Sequence, residues 1–144
     1  MGRALTQTPV LSRPNRLAPV KKPQVAPGQE WNPKQLHFLH HPIVDLGTPC
    51  PDALSLLLDE IQVRLERGEV VYAHCWGGRG RAGTLGACLL SAAWGVGADE
   101  ALERVQRAFD TRRDGGRKSP ETDEQYEFVR EYIASRTADG ASQN

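Results

Sequence analysis

Apolar residues recur at helical spacing in four stretches of the chain, whereas two shorter apolar runs lack that spacing. In the clearest helical stretch, ALSLLLDEIQVRLER, which follows Asp52 and stops at Gly68, leucine and isoleucine side chains fall on one face of a helix. The same periodicity predicts three further helices, over residues 82–94, 99–112 and 122–136. The pattern therefore indicates that the C-terminal two thirds of the chain are largely helical.

The two other apolar runs are LHFLHHPIV, residues 36–44, which is rich in apolar residues, and VVYAH, residues 70–74, which is short and rich in β-branched and aromatic side chains. Such runs are typical of buried strands. Strands backed by helices predict an α/β fold with a central, mostly parallel sheet flanked by helices. We assign residues 36–136 to this folded domain and 137–144 to a disordered tail.

The first 35 residues form a proline-rich, basic N-terminal arm that contains six of the ten prolines and shows neither strand nor helix periodicity. Proline removes backbone donors and fixes φ, so this arm is expected to be disordered. Its function is left open between a solvated tail, an organelle-targeting segment and a kinase-docking segment.

The charge balance narrows the function classes. Eighteen basic and eighteen acidic residues give no formal net charge, which argues against a surface built to hold nucleic acid. The longest uncharged stretch, residues 82–98, has 17 residues and falls short of the roughly 20 that a bilayer span needs, so we expect no stable membrane insertion. Three cysteines, with no secretory signal, favour a reducing, cytoplasmic location, and the nucleus is not excluded. We expect a monomer.

The segment HCWGGRGRAGT, residues 74–84, lies between the predicted second strand and a helix, and it carries the candidate chemistry. Backbone N–H groups of a glycine-rich turn at a helix N-terminus form a cradle for anions. Cys75 at its entrance is a candidate nucleophile, because such amides favour thiolate over thiol. Arg81 is a candidate phosphate ligand, since its planar fork matches two phosphoryl oxygens. The predicted phosphate-binding residues run through the loop: Trp76, Gly77, Gly78, Arg79, Gly80 and Arg81.

A proton donor for the leaving oxygen is also needed, and Asp45 is the candidate because it ends the strand predicted before the Cys75 strand. In that role it would protonate the leaving oxygen and then act as a base toward water. The alternative for Asp45 is a turn-forming aspartate, and Asp52, more typical of a helix cap, is the fallback acid.

His-Cys-x5-Arg between a strand and a helix resembles the signature of the cysteine-based protein phosphatases, the tyrosine and dual-specificity group. The stretch HHPIVDLGTP, which contains Asp45, resembles the general-acid loop of the kinase-associated branch of that group. The resemblance covers roughly residues 36–136 and implies a phosphatase catalytic domain. It implies hydrolysis of phosphotyrosine, with phosphoserine and phosphothreonine as further substrates, through a phosphocysteine intermediate and without a metal or organic cofactor.

The resemblance also assigns supporting roles and a partner class. His74 would shape the loop, and Gln125, in SPETDEQYEFVREY, would position the hydrolytic water, while Glu121 stands where some relatives carry glutamine. A phosphoprotein is the expected substrate and a kinase is a candidate partner. His40 and His41 have no carboxylate or cysteine partner at metal spacing, so we predict no metal site.

Two departures from the family pattern shape the expectation. Ala82 follows the signature arginine, where the family usually has a serine or threonine whose hydroxyl supports the sulfur as a leaving group, so slow turnover is expected. Thr84, two residues further into the helix, points to another side. In addition, the arm offers no convincing counterpart of the strands that usually precede the general-acid strand. We leave open whether residues 1–35 supply extended edge strands or the sheet lacks some N-terminal strands.

Several alternatives stay open. A pseudophosphatase that binds phosphate without efficient turnover would fit Ala82, and a phosphoinositide phosphatase would rest on the added charge of Arg79. Cys50 could form a disulfide with Cys75, and Cys88 is expected in the core. The cluster DTRRDGGRK, residues 110–118, is interpreted as a solvated loop or a docking site for an acidic partner. The dinucleotide pattern in GRGRAG is rejected because no strand is predicted after the helix.

Overall fold

The computed structural model describes residues 36–141, with side chains to residue 138, and four helices account for most of them. They are α1 (Pro51–Glu66), α2 (Gly80–Trp94), α3 (Ala98–Asp110) and α4 (Asp123–Ala141). The chain divides into two units, residues 1–41 and 42–144, and all four helices belong to the second. The four helices predicted from periodicity are confirmed.

Local chemistry explains where the helices start and stop. Pro51 opens α1 at the first helical position, where its missing N–H costs no hydrogen bond. Cys50 occupies the N-cap position, so the prediction of Asp52 as the cap is wrong: Asp52 lies in the first turn, where its charge complements the helix dipole. The second helix ends at Gly95, whose φ of 66° and N–H bond to the carbonyl of Ser91 form a left-handed C-cap.

The core is made by the contact of the four helices. The second helix is central, because it packs on each of the other three. Side chains from all four helices form one buried cluster: Leu54, Leu58, Ala87, Cys88, Ala101, Leu102, Val129, Tyr132 and Ile133. Cys88 is 1% exposed, as expected for a core residue. This helical core fixes the start of α2, which is the edge of the candidate site.

The two predicted strands are not formed among residues 36–141. Residues 70–74 have no regular structure, and Val70 and Tyr72 are 97% and 85% exposed. Residues 36–44 are likewise irregular. A strand needs a neighbour to pair its backbone N–H and C=O groups, and in the described part of the chain no such ladder forms. The predicted sheet is therefore not seen there, although the helices that would flank it are present.

Of the domain boundaries assigned from the sequence, only the one at the C-terminus can be compared with a described element. Helix α4 continues to Ala141, so it includes residues 137–141 of the predicted tail. The N-terminal arm and residues 142–144 lie outside the described residues. In the first unit, residues 36–41 are irregular and the Phe38 side chain is 85% exposed. No helix between residues 36 and 141 is long and apolar enough to cross a membrane.

Candidate active site

The glycine-rich loop, residues 75–81, runs directly into α2, as predicted. Arg79 is the N-cap and Gly80 the first residue of that helix. The positive end of the helix dipole therefore faces the loop, where it favours an anion. Gly78 has φ of 66°, a conformation that suits glycine because it has no Cβ. The local geometry is that of an anion cradle.

The Cys75 thiol is held in this cradle. Partial burial acts to raise its pKa, but the backbone N–H groups of Ala82, Arg79 and Gly78 bond to the sulfur and the charge of Arg81 adds to them, so the pKa of Cys75 lies below its ordinary value. A thiol stabilised as thiolate is the reactive form of cysteine. The amides that would bind phosphate therefore also prepare the sulfur for attack.

The Arg81 side chain links the cradle to the segment that carries the predicted acid. Its Nη2 lies 2.9 Å from Oδ1 of Asp45, and its Nη1 donates to the carbonyl of Ile43 at 3.3 Å. The Asp45 side chain is 78% exposed, so its carboxylate remains accessible to a ligand and to water. The structure thus brings Cys75, Arg81 and Asp45, the three predicted catalytic residues, to one site.

These side chains open on a cleft of about 270 Å³. Its lining joins the glycine-rich loop, the Asp45 turn and the segment after α3: Asp45, Leu46, Cys75, Trp76, Gly77, Arg79, Gly80, Arg81, Asp114, Arg117 and Glu121. The Trp76 side chain is 93% exposed and stands at the mouth. Its free ring face can contact a substrate side chain, since aromatic surfaces stack on such groups.

Arg79 is engaged in the wall of the cleft. Its Nη1 pairs with Oε1 of Glu121 at 2.6 Å and its Nε donates to the carbonyl of Lys118 at 2.7 Å. Its own carbonyl accepts a hydrogen bond from Ser119 Oγ at 2.9 Å. The side chain on which a phosphoinositide specificity would depend is therefore already neutralised by a carboxylate.

Gln125 is fully buried behind the loop, and its amide binds backbone. Its Oε1 accepts hydrogen bonds from the N–H groups of Glu121 and Thr122, and its Nε2 donates to the carbonyl of Gly47 at 3.0 Å. A Cβ on Gly80 would stand 3.1 Å from this amide, so α2 can start here only with glycine or with a shift of Gln125. The structure places Gln125 as a brace between three segments, outside the cleft lining, and its role toward water stays a prediction.

The other predicted residues occupy clear positions. His74 Nδ1 lies 3.0 Å from the carbonyl of Cys75, in the place of a loop-shaping residue. The three cysteines are free thiols, with Cys50 exposed and Cys88 buried. Thr84 Oγ1 donates to the carbonyl of Gly80 at 3.1 Å, so its hydroxyl is bonded within α2 and does not replace the one missing at Ala82. No three metal-binding side chains converge within the described range.

Sequence reasoning missed two residues that hold the loop. Arg112, placed in a solvated cluster, donates to the carbonyls of Gly77 and Gly78, and Ser119 bonds the carbonyl of Arg79. A basic cluster after a helix signals exposure, and nothing in its composition indicates which arginine turns back onto the loop. The one available signal is the position of Arg112 directly after α3, because α3 packs on α2 and the loop leads into α2.

Comparison with known proteins identifies the family. Residues 21–129 match the family described as Swiss Army Knife protein, DSP-PTPase phosphatase domain. The chain belongs to this family of dual-specificity and tyrosine phosphatase domains. The family implies an α/β phosphatase fold, of which residues 36–141 show the helices.

Curated relatives add a second comparison. An uncharacterized protein of Methanocaldococcus jannaschii is 32% identical over 106 residues, 72% of this chain and 65% of that protein. Cyclin-dependent kinase inhibitor 3 of Homo sapiens and of Sus scrofa are 32% and 31% identical over 94 residues, 65% of this chain and 42% of each relative. The suspected likeness to the kinase-associated branch is thus confirmed. The chain spans less than half the length of the mammalian relatives.

Proposed function

We propose that this protein is a cysteine-dependent phosphatase that hydrolyses phosphotyrosine in proteins, with phosphoserine and phosphothreonine as further substrates. The observation that carries the proposal is that Cys75 and Arg81 line one cleft with the glycine-rich loop at the N-terminus of α2, where loop N–H groups and the Arg81 charge lower the pKa of Cys75. The same donors fit the equatorial oxygens of a phosphoryl group, whose charge rises in the transition state.

The proposed reaction has two steps. In the first, the Cys75 sulfur forms a bond to phosphorus while the ester P–O bond breaks, and Asp45 gives its proton to the leaving oxygen. In the second, Asp45 takes a proton from water, the water oxygen bonds to phosphorus and the S–P bond breaks. Inorganic phosphate leaves and the thiolate is restored. The accessible carboxylate of Asp45 beside Arg81 supports both proton transfers.

A phosphorylated kinase is the proposed partner and substrate. The support is the likeness to proteins named cyclin-dependent kinase inhibitor 3, a name that places a kinase among those proteins' targets. The exposed Trp76 at the mouth of the cleft offers a contact for the residue that carries the phosphate.

A second candidate function, a pseudophosphatase that binds phosphoprotein without efficient turnover, is favoured by one observation. Ala82 has no hydroxyl, and the nearby Thr84 hydroxyl is bonded to Gly80. Without a hydroxyl donor to the departing sulfur, the second step is slowed more than the first. The two candidates share phosphate binding and differ in the fate of the phosphocysteine.

The deciding experiment is hydrolysis of an aryl phosphate by the reduced wild-type protein, Cys75→Ser and Cys50→Ser, with the first turnover time-resolved. Cys50→Ser is the matched control because that thiol is exposed and lies outside the cleft lining. We expect an active wild type and control and an inactive Cys75→Ser. A burst followed by a slow phase would support the second step as limiting. A folded wild type that binds phosphate but releases no further aryl alcohol after the first turnover would favour the pseudophosphatase.

A further inference from the structure

Arg112, just beyond the end of α3, reaches across to the glycine-rich loop. Its Nη1 donates to the carbonyl oxygen of Gly77 at 2.9 Å and lies 3.4 Å from that of Gly78. One nitrogen therefore contacts two successive carbonyl groups of the loop. Both contacts are charge-assisted, which makes them stronger than hydrogen bonds between neutral groups.

The guanidinium is itself held in place. Its Nε and Nη2 contact the two carboxylate oxygens of Asp114 at 3.1 and 3.3 Å. It also lies over the ring of Phe109, 4.8 Å from the centroid, and Phe109 is buried against the helical core. Because the carboxylate occupies one edge of the fork and the ring one face, the remaining Nη1 is directed at the loop.

Peptide geometry connects these carbonyls to the nucleophile. In a planar trans peptide group the C=O and N–H bonds point in opposite directions. The carbonyl of Gly77 shares its peptide group with the N–H of Gly78, and the carbonyl of Gly78 shares its group with the N–H of Arg79. Both of those N–H groups bond to the Cys75 sulfur. Arg112 therefore binds the outer ends of two peptide groups whose inner ends bind Cys75.

We propose that Arg112 is a positioning residue of the glycine-rich loop, which holds the Gly77–Gly78 and Gly78–Arg79 peptide groups with their carbonyls outward and their N–H groups toward the bound anion. It acts through the backbone and does not itself touch the reacting atoms. The proposal rests on the anion-binding role assigned above to this loop under the proposed function.

The conformation of Gly78 agrees with this role. Its φ of 66° is the left-handed conformation, and a Cβ at this position would lie 2.9 Å from Arg112 Nη1. Two features therefore require glycine at position 78: the positive φ angle and the close approach of the Arg112 guanidinium. Glycine alone could also flip this peptide at low cost. An external clamp on the carbonyl side removes that freedom.

Other charged groups also surround Cys75 and must be kept constant in any test. Arg81 acts on the thiol directly, and His74 is its chain neighbour. The further charged groups of the cleft are Asp45, Arg79, Asp114, Arg117 and Glu121. A useful comparison must therefore remove one arginine charge from the same segment without touching the loop.

Arg112→Gln and Arg113→Gln provide that comparison in a Cys50→Ser background. Arg113 is adjacent and exposed, and it lies outside the cleft lining. The readout is the rate of alkylation of Cys75 by iodoacetamide as a function of pH, with and without inorganic phosphate. For Arg112→Gln we expect the midpoint to rise by about one pH unit, which is about tenfold less thiolate below both midpoints, and phosphate protection to weaken about tenfold. Arg113→Gln is expected to match the parent.

Arg112→Lys keeps the charge but loses the fork, and we expect it to fall between the parent and Arg112→Gln. It also serves if Arg112→Gln does not fold, a point that thermal melting decides. The proposal is overturned if the folded Arg112 variant shows the same midpoint and phosphate protection as Arg113→Gln. Neither readout requires turnover. An inactive wild type would therefore count against the proposed function alone, while the Arg112 comparison would keep its meaning.

Discussion

Ala82 stands where the resemblance to the cysteine-based phosphatases leads us to expect a serine or threonine, and one substitution restores that hydroxyl. Ala82→Ser restores a hydroxyl at the start of α2, and we expect steady-state turnover of an aryl phosphate to rise about tenfold, since one hydrogen bond to the departing sulfur is worth about 1.4 kcal/mol. A stopped-flow trace should show a smaller burst, because the phosphocysteine would no longer accumulate.

The matched control is Ala93→Ser, the same substitution at the other end of α2. It should leave both the burst and the steady state unchanged. Equal rates for wild type and Ala82→Ser would show that hydrolysis of the phosphocysteine is not limited by the missing hydroxyl.

The thiol of Cys75 in the loop and the thiol of Cys88 in the helical core should differ widely in reactivity. The pKa of Cys75 is lowered by the loop amides and Arg81 against the effect of burial, whereas burial raises the pKa of Cys88 to about 12. We expect alkylation of Cys75 to continue below pH 9 and to stop only as the pH falls through its lowered pKa, while Cys88 stays unmodified in the folded protein. Peptide mass spectrometry after timed alkylation distinguishes them. Equal labelling at neutral pH would contradict the prediction.

The same pKa shift has a consequence for stability. Because the folded-state pKa of Cys75 is depressed, the thiolate stabilises the native state at pH values above the unfolded pKa, and this contribution is lost as the pH falls through the folded value.

At the level of single residues, the sequence predicted the residues at the centre of the site but not the residues that hold the loop in place. Cys75, Arg81 and the glycines are spaced along one loop, so their proximity follows from local geometry. Asp45 was predicted because it ends an expected strand, and the family resemblance supported the choice; that strand is not formed among residues 36–141, yet the structure places Asp45 beside Arg81. Arg112 and Ser119 reach the loop only through the packing of the segment after α3, and no local pattern encodes that contact.

Helix α2 contains two interior glycines whose surroundings differ. A Cβ on Gly83 would stand 2.7 Å from Ser119 Oγ and 3.2 Å from the backbone of Pro120, whereas on Gly86 it would meet only Val105 at 3.5 Å. Alanine gains about 1 kcal/mol over glycine inside a helix, and overpacking costs about 1–3 kcal/mol. We expect Gly86→Ala to raise the free energy of unfolding by up to about 1 kcal/mol and Gly83→Ala to lower it by up to about 2 kcal/mol.

Urea unfolding measures both changes on the same helix, so each substitution is the control for the other. The opposite signs are the diagnostic result. If both substitutions stabilised the protein, the segment at Ser119 would be free to move away from α2, and its hydrogen bond to Arg79 could not anchor the loop.

Helices were predictable as elements, and strands were not. The period of the apolar positions located α1 to α4 within a few residues, because each helix satisfies its own backbone. The runs at 36–44 and 70–74 have strand-like composition, yet a strand depends on a partner elsewhere in the chain. The composition of VVYAH shows that this segment favours a strand conformation, but it does not show whether another strand is available to pair with it.

The stability of the described part of the chain, residues 36–141, depends on the contact of its four helices. Leu58 is fully buried in the shared cluster, whereas Leu56, two residues earlier on α1, is 65% exposed. We expect Leu58→Ala to lower the free energy of unfolding by about 2–5 kcal/mol and Leu56→Ala by less than about 0.5 kcal/mol. Thermal or chemical denaturation tests this. A comparable loss for both would mean that Leu56 is covered by a part of the protein outside residues 36–141.

The arginine and carboxylate charges that line the cleft are equal in number. Three arginines face three carboxylates: Arg79, Arg81 and Arg117, and Asp45, Asp114 and Glu121. Because these charges cancel, the cleft produces little electrostatic potential beyond the Debye length, which is about 10 Å at 0.1 M salt. It therefore does not steer distant polyanions toward the thiol. Encounter is then governed by diffusion and by the fit of one phosphate monoester into the loop. Under the proposed function, hydrolysis would proceed at nearly the same rate at low and at high salt, and nucleotides or polyphosphates would compete poorly for the cleft.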